Sequence, residues 1–131
     1  MSKDVKLKET LMLRQPTASK NEIAFVYAGD VWTVNKDGTN PRRLTAQKGQ
    51  KDLPYFSPDG EWIAFSASYD SGPNVYIISR EGGAPRRLTY HSCPEIVQGW
   101  TPDSKNVLFA SNQASYHQRN MQMFSVPVEG G

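Results

Sequence analysis

The 131-residue sequence is long enough for one domain with a modest core, and its 15 basic and 13 acidic residues leave a net charge of only +2. This balance excludes a dedicated nucleic-acid or membrane-surface protein, because both need a concentrated basic face. The single cysteine, Cys93, cannot form an internal disulfide. The charged N-terminus lacks the apolar core of a secretory signal, so we expect the chain as written to be cytoplasmic.

Short apolar segments separated by turn residues follow one another along the whole chain. Residues 5–8 alternate apolar with charged and predict an edge strand, and a second short run at 11–14 is ended by Pro16. No window of about 11 residues has helical periodicity, so the fold class is all-β. The remaining predicted strands span residues 23–27, 31–34, 41–45, 53–56, 62–67, 74–78, 85–89, 96–100, 106–111 and 121–126.

One strand-turn-strand segment recurs. In residues 55–66, Pro58 presets φ for a tight turn, Asp59 caps it, and Gly60 accepts positive φ. The pattern returns 44 residues later at 100–110, and residues 42–45 are identical to residues 86–89 at the same spacing. Four strands in a period of about 40–45 residues predict the blade of a β-propeller.

The second and third strands of each repeat are apolar at nearly every position. This favours blades stacked face to face, with both sheet faces buried, over a single open sandwich. We therefore predict an N-terminal strand at 1–9, a first blade at 10–50, a second at 51–94, and a third at 95–131 that lacks its outer strand.

The Pro-Asp-Gly turn at 58–60, the strands around Phe65 and Tyr76, and the ending at 82–89 together resemble the Pro-Asp propeller repeat of TolB and tricorn-type proteases. Residues 13–17, just before the first blade, make the chain most similar to the N-terminal propeller of bacterial tricorn-like proteases. The resemblance implies a propeller that carries no catalytic residues. Those families use six or seven blades, whereas this chain has three repeats and no catalytic domain.

Three blades cannot close a ring, and they would leave exposed sheet surfaces. We expect residues 5–8 to supply the missing outer strand to the third blade of a neighbouring chain. Two copies would then form a homodimeric six-bladed ring, whereas three copies would need nine blades. The residues predicted to close the ring between chains are Val5, Leu7, Met121, Met123, Phe124 and Val126.

The sequence gives little support for a catalytic site or a metal site. The Gly-x-Ser-x-Gly signature of hydrolases is absent. His, Ser and Cys are adjacent at residues 91–93, but neighbouring residues on a strand point to opposite faces and no carboxylate is placed to orient the histidine. We therefore interpret residues 91–93 as a loop that connects two blades. Two histidines, His91 and His117, and one cysteine are poorly spaced for zinc. Asp59 and Asp103 are too few for calcium and are expected to cap turns. We predict no catalytic residue, no metal and no cofactor.

Two repeated features have structural interpretations. The arginine pairs at 42–43 and 86–87 are expected on blade edges, paired with carboxylates of the neighbouring blade or exposed to solvent. The aromatic residues recur at repeat spacing, which indicates packing between blades. Tyr55 and Gln98 lie near the innermost strands and are the candidates to face a central channel and a ligand.

We therefore interpret the chain as a non-catalytic scaffold that assembles with itself and binds a peptide or protein, without nucleic acid or membrane partners. Two alternatives remain open. The chain could be the excised substrate-gating propeller of a tricorn-like serine protease, or a TolB-like interaction module whose natural parent is periplasmic or secreted.

Overall fold

The computed structural model describes residues 14–46, 48–69, 72–112 and 121–130. Within these residues, eleven strands form three antiparallel sheets. The all-β prediction with four-stranded antiparallel sheets is confirmed. The predicted strand at 5–8, with Val5 and Leu7, lies outside the described residues, as does His117.

Sheet 1 is a meander in which each strand pairs with the next. Its two central strands are joined by Ala28 and Gly29, whose φ angles of 52° and 82° are both positive. Two positive φ angles are what a type I′ hairpin turn requires. The strands are β1 (Arg14–Ala18), β2 (Glu22–Tyr27), β3 (Asp30–Asn35) and β4 (Arg42–Arg43).

Sheet 2 repeats this order. Its central strands are buried along nearly their whole length, which confirms that both faces of this sheet are covered. The strands are β5 (Gln50–Phe56), β6 (Trp62–Ser68), β7 (Asn74–Ser79) and β8 (Gly82–Arg87).

Sheet 3 has three strands within the described part of the chain. They are β9 (Glu95–Trp100), β10 (Asn106–Ser111) and β11 (Gln122–Pro127), in the order β11-β10-β9. Among the described residues, sheet 3 has no strand equivalent to β8 of sheet 2, and β11 is its outer strand.

Several predicted strand boundaries were wrong: β5 begins at Gln50 and not at residue 53, and β8 spans Gly82–Arg87 and not residues 85–89. Two others have identifiable reasons. β1 continues through Pro16 to Ala18, because a bulge between Arg14 and Thr17 takes the proline out of the hydrogen-bonded ladder. β4 ends at Arg43 and not at residue 45, because the hydroxyl of Thr45 replaces a backbone acceptor there and accepts a hydrogen bond from Val31 N at 3.0 Å.

The Pro-Asp turns form as predicted. The hydroxyl of Ser57 donates to Asp59 Oδ1 at 2.6 Å, and the same oxygen accepts a hydrogen bond from Glu61 N at 3.0 Å. In sheet 3, Thr101 and Asp103 repeat the first of these bonds at 2.7 Å. The prediction that both aspartates cap turns is confirmed.

The core consists of two apolar layers, one on each side of sheet 2. The layer between sheets 1 and 2 contains Ala24, Val31, Phe56, Ile63, Phe65, Ala67, Tyr76 and Ile78. The layer between sheets 2 and 3 contains Ala64, Val75, Ile77, Leu88, Val97, Val107, Phe109 and Val126. Neighbouring sheets therefore pack face to face.

Candidate functional site

A buried polar cluster joins sheets 1 and 2. Asp30 accepts hydrogen bonds from the Thr45 hydroxyl at 2.7 Å and from Lys51 Nζ at 3.0 Å. Arg43 Nη2 lies 2.6 Å from the same carboxylate. Lys51 belongs to sheet 2 and is only 1% exposed, and its ammonium lies 5.2 Å from the centre of the Tyr69 ring. This ion pair therefore links the two sheets inside the protein.

The electrostatics of this cluster favour an ionised Asp30. Burial by itself would raise the pKa of this carboxyl, but the hydrogen bonds from Thr45, Lys51 and Arg43 outweigh that effect and lower it. Burial also raises the pKa of Tyr69 to about 12, with smaller contributions from Tyr76 and Asp30. The cluster thus holds a carboxylate and a neutral phenol side by side.

The same positions between sheets 2 and 3 carry a different charge pattern. Asn74 replaces the aspartate and accepts a hydrogen bond from Arg87 Nη2 at 2.8 Å. Its amide donates to Glu95 Oε1 at 2.7 Å, and Thr89 accepts from Val75 N at 2.8 Å. The buried cation of the first junction is thus an anion here, and the acidic partner is a neutral amide.

The repeated arginines follow the prediction only in part. Arg42 Nη2 donates to the carbonyl oxygen of Arg80 in sheet 2 at 2.7 Å, and Arg86 Nη2 donates to the carbonyl oxygen of Val128. Arg43 and Arg87 bond within their own sheets. Arg43 and Arg86 are exposed, which agrees with the second half of the prediction. Pairing with a carboxylate of the neighbouring sheet is not found for the four arginines among the described residues: Arg42 and Arg86 reach backbone carbonyls instead, and Arg43 and Arg87 reach Asp30 and Asn74 of their own sheets.

The first strand of each sheet carries a bulge at the same level. β1 has one extra residue between Arg14 and Thr17, and β5 has one between Asp52 and Tyr55. In β9 the extra residue is Gln98. A bulge interrupts the ladder and turns side chains away from their regular direction. These first strands contact one another, β1 with β5 and β5 with β9.

A pocket of about 410 Å³ opens beside these bulges. This size falls within the range of small-ligand sites, roughly 300–1,000 Å³. We name it the first-strand pocket. It is lined by Gln15, Gln50, Asp52, Leu53, Ser66, Ser68, Pro73 and Ile96.

The two residues predicted to face a ligand occupy different environments. Gln98 is exposed at the bulge of β9. Tyr55 is partly buried and packs against the apolar layer between sheets 2 and 3, and its carbonyl oxygen accepts a hydrogen bond from Trp100 Nε1 at 2.9 Å. Neither lines the first-strand pocket. Ligand contact at either residue stays a prediction.

The sheet-1 outer face is the side of sheet 1 that turns away from sheet 2. Side chains alternate across a strand, so the neighbours of the core residues Ala24 and Val31 point outward. Tyr27 is 38% exposed there and meets Trp32 edge-on at 6.1 Å. This face consists of Ile23, Phe25, Tyr27, Trp32 and Val34.

The sheet-3 outer face is the corresponding side at the other end. Its members alternate with Val107, Phe109 and Phe124, which pack towards sheet 2. Met123 is 60% exposed on this face. The face consists of Leu108, Ala110, Met123 and Ser125.

Of the residues predicted to close the ring, four are described. Met121 is 49% exposed, and Met123 lies on the sheet-3 outer face. Val126 is 5% exposed and belongs to the layer between sheets 2 and 3, where Phe124 packs against it. Their role between chains stays a prediction.

Within the described residues, no group of three His, Cys, Asp or Glu side chains could hold a metal ion. No helix in that part of the chain could cross a membrane. In the loop before β9, the His91 ring accepts a hydrogen bond from Cys93 N at 3.1 Å.

The sequence profile of one family, the Tricorn protease N-terminal beta propeller domain, matches residues 10–131. The chain belongs to this family. The predicted resemblance is therefore confirmed, and the three stacked sheets are propeller-like.

Relatives of this propeller domain carry related repeats within longer chains. The Tol-Pal system protein TolB of Desulfosudis oleivorans is 33% identical over 65 residues, which are 47% of this chain and 15% of the relative. Tricorn protease homolog 1 of Streptomyces coelicolor is 33% identical over 64 residues, 49% of this chain and 6% of the relative. The propeller domain thus matches only a small part of each relative's length.

The crystal structure of TolB from Acinetobacter baumannii has the same fold. It superposes with a TM-score of 0.73 at 23% identity, and the match covers 91% of this chain and 30% of that one.

The sequence reasoning missed both the buried cluster and the pocket of this propeller domain. A signal for the cluster was present, because Asp30 and Asn74, like Lys51 and Glu95, are 44 residues apart, in the register of the repeated arginines. Pro16 and Pro54 occupy equivalent positions in β1 and β5, and a proline within a strand is a signal for a bulge. Which side chains then met across two sheets required the structure.

Proposed function

We propose that this propeller domain is a non-catalytic scaffold that completes a ring with a second copy of itself. The sheet-1 outer face of each copy would pack on the sheet-3 outer face of the other. The observation that carries this proposal is repeat equivalence: each outer face corresponds to a face of sheet 2 that is already covered within the chain.

The sheet-1 outer face corresponds to the side of sheet 2 that packs on sheet 1. In sheet 2 that side presents Phe65 paired with Tyr76, and both belong to the buried layer. The equivalent pair in sheet 1 is Phe25 with Trp32. In sheet 2 this face packs on the side of sheet 1 that carries Ala24 and Val31. The sheet-1 outer face would pack in the same way on the sheet that precedes it in the ring.

The sheet-3 outer face corresponds to the side of sheet 2 that receives sheet 3. There Ala64 and Val75 are fully buried by the third sheet. The equivalent residues in sheet 3 are Leu108 and Met123. The two ends of the chain therefore offer the two halves of one repeat junction. Phe25 is already buried in the single chain, so burial of the side chains still exposed on these faces, such as Tyr27 and Met123, would drive association.

Head-to-tail pairing of two copies gives six blades, which lies within the usual range of closed propellers. In the proposed ring, Val5 and Leu7 add a fourth strand to sheet 3. Its register follows from sheet 2, where Arg86 and Arg87 pair with Ile77 and Tyr76. The equivalent positions on β11 are Ser125 and Phe124.

Sedimentation velocity tests the proposal. We expect a mass twice the 14.7 kDa of one chain. Met123→Lys places a charge on the sheet-3 outer face and should yield a monomer, because an ammonium cannot be buried unpaired. Tyr90→Lys is the matched control, since Tyr90 is 73% exposed and lies on neither face. A stable wild-type monomer would refute the proposal.

A mixing experiment tests the head-to-tail geometry. Tyr27→Lys blocks the sheet-1 outer face, so this variant alone should also be monomeric. Mixed with Met123→Lys, each variant contributes one intact face, and one junction can form. We expect two monomeric variants and a heterodimer in their mixture, whereas an interface between two identical faces would leave one of the two variants dimeric on its own and would give no heterodimer.

A second candidate is favoured by the family assignment and by the small share of each relative that the chain matches. In it, the three blades are part of a longer tricorn-like or TolB-like protein, whose other blades cover both outer faces. The isolated chain would then be monomeric or would aggregate, so the same sedimentation measurement separates the two candidates. Either scaffold would bind a peptide or protein at the side of the chain where the first strands β1, β5 and β9 lie.

A further inference from the structure

The first-strand pocket lies where a polar residue of the first repeat is replaced by an apolar residue in the second. At the first junction, the bulge residue Gln15 reaches across and its Oε1 accepts a hydrogen bond from Leu53 N at 2.7 Å. The equivalent bulge residue of sheet 2 is Leu53 itself, which has no polar atom in its side chain. At the second junction, Val97 N instead donates to Ser66 Oγ at 2.8 Å. Among the described residues, no side chain therefore bridges β5 to β9 at the bulge itself; the bond from Trp100 Nε1 to the carbonyl oxygen of Tyr55 joins these strands two residues further along β5.

The charge of the pocket comes from one carboxylate. Among the described residues that line it, Asp52 alone is charged, and it is partly buried. Its hydrogen bond from Gln50 Nε2 is long, at 3.4 Å. No lysine or arginine in the described part of the chain forms an ion pair with it. The pocket therefore carries a negative charge that its own lining does not neutralise.

Three of the lining residues are aliphatic. Leu53, Pro73 and Ile96 present only hydrocarbon atoms from their side chains. Ser66, also in the lining, is 2% exposed, and its hydroxyl is engaged with Val97 N and with the carbonyl oxygen of Glu95. Its orientation is consequently held, and it forms a rigid part of the wall.

We propose that the first-strand pocket binds a primary ammonium group on an aliphatic stem, as in the lysine side chain of a peptide. The ammonium lies against Asp52, and the stem runs along Leu53 and Ile96. A long cationic side chain buries its methylenes on apolar surface while its charged end meets a polar group. One carboxylate that is partly occupied by an amide suits a compact ammonium better than a planar guanidinium, which prefers two free oxygens.

Calorimetric titration of the whole chain with Nα-acetyl-lysine methylamide tests the proposal. Asp52→Asn should weaken binding by about tenfold, the loss expected for one charge-assisted contact at a partly exposed site. The norleucine analogue keeps the stem without the charge and should bind about tenfold more weakly to the wild type. Equal affinity for the two probes, or no measurable lysine binding, would overturn the proposal.

Two further variants separate the pocket from general surface charge. Leu53→Gln introduces the residue found at the equivalent bulge of β1 and replaces an aliphatic part of the lining by a polar amide, so we expect it to weaken lysine binding while keeping Asp52. Glu129→Gln removes one exposed negative charge outside the pocket and should leave binding unchanged. An equal loss in Glu129→Gln, or none in Leu53→Gln, would contradict the assignment.

The pocket lies within one chain, so this test does not depend on ring closure. A monomer that binds lysine would refute the assembly proposal alone. A dimer that does not bind lysine would refute only the pocket.

Discussion

Replacing Lys51 with methionine tests whether the buried ion pair holds sheets 1 and 2 together. Lys51 Nζ lies 3.0 Å from Asp30 Oδ1, and the side chain is almost completely buried. Removing one partner of such a pair costs about 3–5 kcal/mol, since the other charge is left buried. Here Arg43 and Thr45 still contact Asp30, and each offsets roughly 1 kcal/mol. We therefore expect Lys51→Met to lower the free energy of unfolding by about 2 kcal/mol.

Urea denaturation followed by tryptophan fluorescence, at fixed protein concentration, measures this loss. Lys48→Met is the matched control, because Lys48 is exposed nearby and its loss should cost less than about 0.5 kcal/mol. The double variant Asp30→Asn with Lys51→Met should be more stable than Lys51→Met alone, since no buried charge remains unpaired. A cost for Lys51→Met as small as that of the control would refute the reasoning.

Three further outcomes are expected. Because the pKa of Asp30 is lowered in the fold, its stabilising effect is present above about pH 4 and lost as the pH falls further; Asp30→Asn should flatten the unfolding free energy between pH 4 and 2 in urea titrations. Gly49→Ala should cost at least about 1 kcal/mol more than Gly82→Ala in thermal denaturation, because both have positive φ but only the first would place Cβ 2.5 Å from the Ser68 carbonyl oxygen; equal costs would contradict this. Burial raises the pKa of Tyr69 to about 12, so spectrophotometric titration of the wild type against Tyr69→Phe should show one phenol that ionises late. The buried Tyr69 hydroxyl has no hydrogen-bond partner among the described residues, so the phenylalanine variant should be at least as stable as the wild type at pH 7. Because the phenol ionises more easily in the unfolded chain, the wild type should lose more stability than the variant as the pH rises above 10.

The residues of the buried cluster and of the pocket could be predicted only in part from the sequence. The repeat at 44 residues places Lys51 and Glu95 at equivalent positions, but it cannot say that each meets the third strand of the preceding sheet. The same holds for the pocket. Gln15 and Leu53 are equivalent only after the bulges are known, because the extra residue in each first strand shifts the register.

The strands and turns of this protein follow from short-range sequence preferences that do not depend on tertiary contacts. Pro58, Asp59 and Gly60 favour a tight turn wherever they occur together, and apolar second and third strands require cover on both faces. These preferences depend on a few neighbouring residues, so the sequence by itself determined an all-β fold of propeller repeats. The buried charges and the pocket depend on distances between sheets that are far apart along the chain. Only the tertiary structure decided them, because a side chain's partner across an interface is set by packing and not by its neighbours in sequence.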